Sequence, residues 1–352
     1  MNLFKSIGIM SGTSLDGIDL AYVEFTEEDG KWSFQLGPSQ SIIYQDSWKN
    51  RLKNLMNASA LEFVKTHVDY GKYTGELVRK FVNTWQLKPD VIGVHGHTVF
   101  HNPKVGFTCQ IGDGATIAAI SQQIIANDFR SMDVARGGQG APLVPIGDQL
   151  LFHDYQACLN IGGFANISYQ KNDRLIAYDV GPANIILNPI ALDLGYHFDD
   201  KGEIARSGQI LSGLLQQLKS IPYYKKSPPK SLGKEWVDKN ISPLIAPNMI
   251  PKDILRTFIE HISLIISQEM AGIQKGKVLI TGGGAFNHFL IEKIKERTDL
   301  ELVLPSNDII EMKEAIIFAF LAVLRLQNKT NTIQTVTGAR IASISGALHN
   351  GR

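Results

Sequence analysis

SIGIMSGTSLDGIDLAYVEF, residues 6–25, reads as two strands joined by a polar turn. Ser6–Met10 is a short apolar run, and Ile18–Phe25 alternates apolar with polar residues, the period of a strand. The turn between them, SGTSLDG, carries two glycines among hydroxyl and carboxylate side chains. The theme returns at residues 157–169, ACLNIGGFANISY, again strand, Gly-rich turn, strand. These two units, at Ile7 and Leu159, are the chain's one hint of internal duplication. A third Gly-rich turn, TGGGAFN at 281–287, leaves the buried strand Lys277–Ile280 and enters a helix predicted over 287–296. Glycine lets backbone N–H groups approach an anion, because no Cβ intervenes and φ > 0 is open to it. None of the three turns fits the P-loop pattern or a GxGxxG opening a helix after a strand. Any one of them alone reads as a plain β-turn. Three in one chain point to a nucleotide held between lobes.

The bulk properties agree with a small-molecule partner. At 352 residues the chain is too long for one ordinary core, so length suggests two domains. Its 44% hydrophobic and 20% charged residues are those of a soluble globular protein. A net charge of +1 supplies no field to gather nucleic acid or an acidic membrane. Cys109 and Cys158 show no zinc or Cys-x-x-Cys spacing and read as buried thiols in a reducing compartment. The start, MNLFKSIGIMSG, has neither the apolar segment nor the cleavage site of a signal peptide. The most apolar run, Ala315–Leu324, is too short to span a bilayer and reads as a buried helix. The expectation is a cytoplasmic protein with no nucleic-acid and no membrane partner.

Elsewhere strand and helix periods alternate. Residues 62–87 carry Phe63, Val64, Val68, Leu77, Val78 and Phe81 at helical spacing, and Val91–Val94 is a short strand. Residues 115–120 predict a helix and Ile124–Asn127 a strand running into Asp128-Phe129-Arg130. Further helices are predicted over 211–218, 252–272 and 311–326, with another after Val180-Gly181-Pro182. Strands alternating with helices predict an α/β chain in two lobes. RGGQGAP, residues 136–142, suits a hinge or a ligand loop. A boundary just before it gives a first lobe of 1–130 plus 338–352 and a second lobe of 131–337.

At the residue level, IGIMSGTSLDGID (7–19), NDFRSMD (127–133), GGQGAPLVP (137–145), NIGGFANIS (160–168), DVGPANI (179–185), PPKSLGKEW (228–236), TGGGAFN (281–287) and VTGA (336–339) occur in one order along nearly the whole chain. Together they resemble the anhydro-N-acetylmuramic acid kinase family, within the sugar kinase, heat-shock ATPase and actin superfamily. The resemblance implies a two-lobed actin-like ATPase (ribonuclease H-like) fold with an interlobe active-site cleft. It implies ATP with Mg²⁺ as cofactors, a sugar substrate and a homodimer. The implied reaction opens the 1,6-anhydro ring of 1,6-anhydro-N-acetylmuramic acid with water and phosphorylates O6, a step of peptidoglycan recycling. The implied ATP contacts are Gly12, Thr13, Ser14, Leu15, Asp16, Gly17, Ile18 and Asp19 in the first turn and Asn160, Gly162, Gly163 and Asn166 in the second. Gly282, Gly283, Gly284 and Asn287 would lie beside the adenosine.

Asp179 of DVGPANI matches the family's catalytic aspartate; by position alone it equally suits a helix cap. Glu314 matches a glutamate beside the sugar, while a first-turn glutamate is also favoured by the helix dipole. Arg130 has the planar guanidinium that suits a carboxylate of the sugar, or it forms a hinge salt bridge to Asp133 or Asp128. His97, with His95 and His101 nearby, falls in a plausible sugar-facing loop, although a lone buried histidine is more often structural. Asp16 is the metal candidate, with Asp19 beside it, and both suit turn-capping roles as well. The chain departs from the family pattern at His97, where an amide is usual, and at Asn188, where an aspartate is usual. Those departures bear on substrate preference and the metal shell.

Overall fold

Each hairpin read from the sequence opens a sheet. β1 (Asn2–Met10) and β2 (Gly17–Glu28) pair antiparallel with Met10 opposite Asp19, and β3 (Lys31–Ile43) continues the sheet along β2. β4 (Val91–Val94) runs parallel to β1. β5 (His97–Asn102) and β6 (Phe107–Ile111) form a separate pair, and β7 (Ile124–Asn127) runs parallel to β4. The C-terminal strand Ala347–Asn350 closes the far edge against β7. The second sheet repeats this plan. β8 (Ala157–Ile161), β9 (Phe164–Lys171) and β10 (Arg174–Pro182) are consecutive antiparallel strands, followed by the parallel strands β11 (Lys277–Thr281) and β12 (Glu301–Val303). Both sheets therefore contain the order third, second, first, fourth, fifth strand. That arrangement is ribonuclease H-like, as in actin-like ATPases, and it establishes the α/β class and the duplication.

The computed structural model describes residues 1–12 and 15–352, so the expected contacts Thr13 and Ser14 lie outside the described residues. The chain divides into Met1–Leu151 with Met312–Arg352, and Phe152–Glu311. The first unit is larger than the sequence reading allows, by residues 131–151 and 312–337. One reason lies in β1 and β4. Gly8 and Gly93 are register partners, and a Cβ on either would fall 1.7 Å from Ala315 O or 2.0 Å from Phe318 O. The two glycines form a groove in which the helix Asn307–Leu326 rests its backbone; Ser6 Oγ donates to Ala319 O at 3.1 Å. Buried on every side, the run Ala315–Leu324 is apolar all round, as such a helix must be.

The other reason is Asp133, fully buried, which ties RGGQGAP into the first unit. Its Oδ2 accepts from Gly140 N and its Oδ1 from Thr337 Oγ1, both at 2.8 Å, while Gln139 N donates to Thr337 O. A loop pinned this way inside one unit is not the hinge that its glycines suggest.

β3 is absent from the sequence reading because it is a polar edge strand containing Gly37 and Pro38. Edge strands tolerate both residues, and half-exposed positions blur the alternation. In the second unit the helix Pro251–Met270 lays its apolar face, from Ile254 to Met270, into a core shared with Leu159, Ile167, Val278 and Ile280.

Candidate active site

In the second unit, register places four polar residues in one row across adjacent strands: Thr281 opposite Asn160, Asn160 opposite Asn166, and Asn166 opposite Asp179. Register partners project to the same face of a sheet, so the row is a polar patch on one face. Three of the four were singled out from the sequence. Thr281, fully buried, was not; it opens TGGGAFN and donates to Asn160 Oδ1 at 3.4 Å.

Asp179 sits inside β10, just before a bulge at Gly181. It caps no helix. The helix Asn184–Asp193 has Ala183 at its N-cap, and Pro182 closes the strand. Nor are that helix's first N–H groups open, since Ala183 N and Ile185 N donate to Gly163 O and Asn184 N to Gly162 O. The Asp179 carboxylate accepts one hydrogen bond, from Leu232 N to Oδ2 at 2.9 Å, and among the described residues nothing bonds Oδ1. Tyr223 OH donates to Asp179 O at 2.7 Å and Asp179 N to Lys230 O at 3.2 Å. Burial pushes the carboxyl above its usual range, against the opposing pull of the Leu232 N–H. A partly desolvated carboxylate with one oxygen held and one free is suited to accept a proton.

The glycines sort by what a side chain would meet. At Gly17 a Cβ would lie 2.2 Å from Ile42 O, at Gly282 2.7 Å from Asn160 Oδ1 with φ +81°, and at Gly284 2.3 Å from Ile161 Cγ2. Those three are explained by the protein's own packing. At Gly162, Gly163 and Gly283 the nearest atom outside the neighbouring residues is 3.6 Å or farther from that Cβ, and none of the three has φ in the left-handed region. Neither a close contact nor a left-handed φ calls for glycine at these positions, and bare backbone of this kind permits the close approach of a ligand. Beside Gly283 a pocket of about 530 Å³ is lined by Asn184, Asn188, Phe198, Lys201 and Asn287 among others. Asn287 Oδ1 caps the next helix through Leu290 N. Asn188, one of the departures from the family pattern, thus faces this pocket.

In the first unit the polar turn meets a charged cluster. Ile18 is a core residue, and Leu15 packs partly on the same core with φ +61°. Asp16 is exposed, and Asp19 Oδ1 accepts from Ser41 Oγ at 2.6 Å. Burial, aided by the charge of Asp16, raises the Asp19 carboxyl against that hydrogen bond. Arg130 forms no bridge to Asp133 or Asp128, the latter bonding Ser131 instead. Its Nε and Nη2 point at His95 Nε2, at 3.2 and 2.7 Å, and Nη1 donates to Gly140 O at 2.7 Å. Burial lowers the guanidinium to about 10, with Glu314 pulling it back up, and lowers His95 to about 3, so His95 is a neutral acceptor. Glu314 is not in a first turn, because its helix starts at Asn307. It is solvent-accessible, yet desolvation raises its carboxyl, with Arg130 and Lys313 opposing and Asp19 adding. His97 is buried and held neutral by desolvation, with the Gly12 backbone as partner. His101 pairs with Thr108 on the surface.

Among the described residues no group of three metal-ligating side chains comes together, and no helix is long and apolar enough to cross a membrane. Curated relatives match end to end. An anhydro-N-acetylmuramic acid kinase of Pseudomonas syringae is 33% identical over 98% of this chain and 99% of its own. Kinases of the same name from a Sulfurovum species and from Coxiella burnetii are each 33% identical, over 99% of this chain and 100% and 98% of theirs. Among solved structures, the activator of the 2-hydroxyisocaproyl-CoA dehydratase from Clostridium difficile with bound ADPNP is similar at 12% identity over 92% of this chain and 96% of that one, with a TM-score of 0.45. Residues 4–351 match the family model AnmK, and with these relatives the chain belongs to the anhydro-N-acetylmuramic acid kinase family.

Proposed function

We propose that this chain uses ATP and water to convert 1,6-anhydro-N-acetylmuramic acid into N-acetylmuramic acid 6-phosphate and ADP, with Asp179 as the base. The observation that carries the assignment of Asp179 is its half-satisfied, desolvated carboxylate at the end of a polar row. The free Oδ1 takes a proton from water as the water's oxygen bonds to C1. The C1–O6 bond breaks, and O6 receives the γ-phosphoryl group in place of ADP. One base thereby serves both halves.

The bare backbone at Gly162, Gly163 and Gly283 accommodates the nucleotide, with Asn160, Asn166 and Asn287 around it; in the first unit, the backbone of Gly12 and of Leu15 to Asp19 is the part of the polar turn suited to phosphate contacts. Mg²⁺ neutralises phosphate charge when bound and keeps several waters, needing one or two carboxylates from the protein. Exposed Asp16 is the residue that fits this role. Arg130, with N–H groups left over from His95 and Gly140, would hold the sugar's carboxylate beside Glu314 and His97. The setting is the cytoplasm and the assembly a homodimer; sedimentation at the chain's monomer mass would reject the dimer.

The deciding assay offers 1,6-anhydro-N-acetylmuramic acid and N-acetylmuramic acid in parallel, in ¹⁸O-labelled water, following ADP and ring opening. The expected result is label at C1 and none in the phosphate. Phosphorylation of the ring-opened sugar alone would instead identify an ordinary hydroxyl kinase. Two variants test the contacts. Gly162→Ala should raise the KM for ATP about tenfold at unchanged melting temperature, because its methyl meets only a ligand. An unaltered KM would remove this turn from the nucleotide site. Arg130→Lys should raise the KM for the sugar about tenfold and spare that for ATP; equal effects on both would reject sugar recognition by Arg130.

A further inference from the structure

Residues 225–229 and 231 are exposed, and between them Lys230 is buried, with 3% of its side chain accessible. Lysine is among the residues least often found fully buried without a partner. Here Nζ lies 2.7 Å from Glu269 Oε1 and 5.2 Å from the ring centres of both Tyr178 and Tyr223. Tyr178 OH donates to Glu269 Oε2 at 2.8 Å. Glu269 stands in the last turn of the helix Pro251–Met270, where the helix dipole disfavours a carboxylate. Its partners, not its helix, account for its presence.

The same residues reach Asp179. β10 is an edge strand, and Tyr178 and Asp179 are consecutive on it, so their side chains leave by opposite faces. The segment 230–232 runs along that open edge: Lys230 O accepts from Asp179 N, and Leu232 N donates to Oδ2. Tyr223, which flanks the ammonium, donates to Asp179 O. No helix or strand holds this segment; Lys230 enters the interior from it, and Leu232 packs partly on the second unit's core.

We propose that Lys230, paired with Glu269, is a positioning residue that pins the 230–232 segment to β10, so that the Leu232 N–H fixes one oxygen of Asp179 and leaves the other to the water. The proposal rests on Asp179 being the base. The titratable groups of this cluster are Tyr178, Tyr223, Lys230 and Glu269, with Tyr169 against Tyr178, Tyr224 against Tyr223 and His261 against Tyr224; of these, Tyr223 acts on Asp179 directly, through its hydroxyl. Burial raises Tyr178, Tyr223 and Tyr224 and lowers His261 to about 4.

The test measures kcat, KM for the anhydro-sugar and the pH profile of full-length Lys230→Met, Lys230→Arg and Glu269→Gln beside Asp179→Asn. Lys230→Met should lose kcat about 30-fold with KM within about twofold, the signature of a misplaced group in an intact binding site. Its acid limb should move to higher pH, because the N–H that favours the ionised carboxylate is no longer held in place. Lys230→Arg should restore most of the rate. If Lys230→Met does not fold, Glu269→Gln carries the same expectation, since Glu269 is 23% accessible and glutamine can keep the Tyr178 contact. A normal rate and pH profile in the variant overturns the proposal, as does a rate loss that follows melting temperature with the acid limb unmoved. Should Asp179→Asn be dead and Lys230→Met normal, the positioning role alone falls. Should Asp179→Asn turn over, the base assignment falls with it.

Discussion

Asp179→Asn should lower kcat about 10²–10⁴-fold, the range of a lost general base. The fold should survive. An asparagine oxygen can still accept from Leu232 N, and the bonds from Tyr223 OH and to Lys230 O use the main chain. Stability gives a second reading with a definite sign. The native carboxyl is raised above 3.8, so the folded state holds this proton more tightly than the unfolded chain does. The group's contribution to stability is therefore full at low pH and lost as pH climbs through the folded value. At neutral pH asparagine removes a desolvated charge, and the melting temperature should hold or rise. For the wild type, the acid limb of kcat should lie above 3.8. A variant that keeps more than about a tenth of the wild-type rate, which no essential base allows, rejects the assignment.

Gly8→Ala should be the most destabilising small substitution in the first unit. Its methyl would sit 1.7 Å from Ala315 O and 2.7 Å from Ala319 N, both backbone, so no side chain can rotate aside. The helix must lift from the sheet over the run that buries Ala315, Phe318, Ala319 and Ala322. The cost should be at least about 3 kcal/mol, the upper end of overpacking penalties, which for a unit of this size lowers the melting temperature by about 6–12 °C. Gly213→Ala is the control, since that glycine lies in the helix Ser212–Ser220 with nothing within 4 Å of a Cβ. There alanine should be neutral or stabilising by up to about 1 kcal/mol. Equal melting shifts in the two variants would reject close packing of the helix on β1 and β4.

Local patterns proved legible where neighbours in sequence decide the structure. Val91–Val94 and Ile124–Asn127 are strands over the expected residues, and the predicted helix at 115–120 is Gly114–Ser121. The repeated strand–turn–strand units announced two sheets of one topology. The misreadings arise where distance in sequence matters. RGGQGAP resembles a hinge until Thr337, some two hundred residues on, is found bonded to Asp133. Glu314 resembles a first-turn residue because its helix begins with polar Asn307 and Asp308, ahead of the apolar run.

By itself, then, the sequence determined the α/β class, the duplication, the family and the identity of the acidic residue to suspect, because periodicity and motif order are properties of the chain. Tertiary structure alone decided which glycines pack against protein and which lie bare. It also decided that Asp179 belongs to a strand and not to a cap, and that one lysine in an exposed segment turns inward to Glu269. Those facts depend on atoms brought within a few ångströms by the closing of sheets, and no local pattern encodes such a distance.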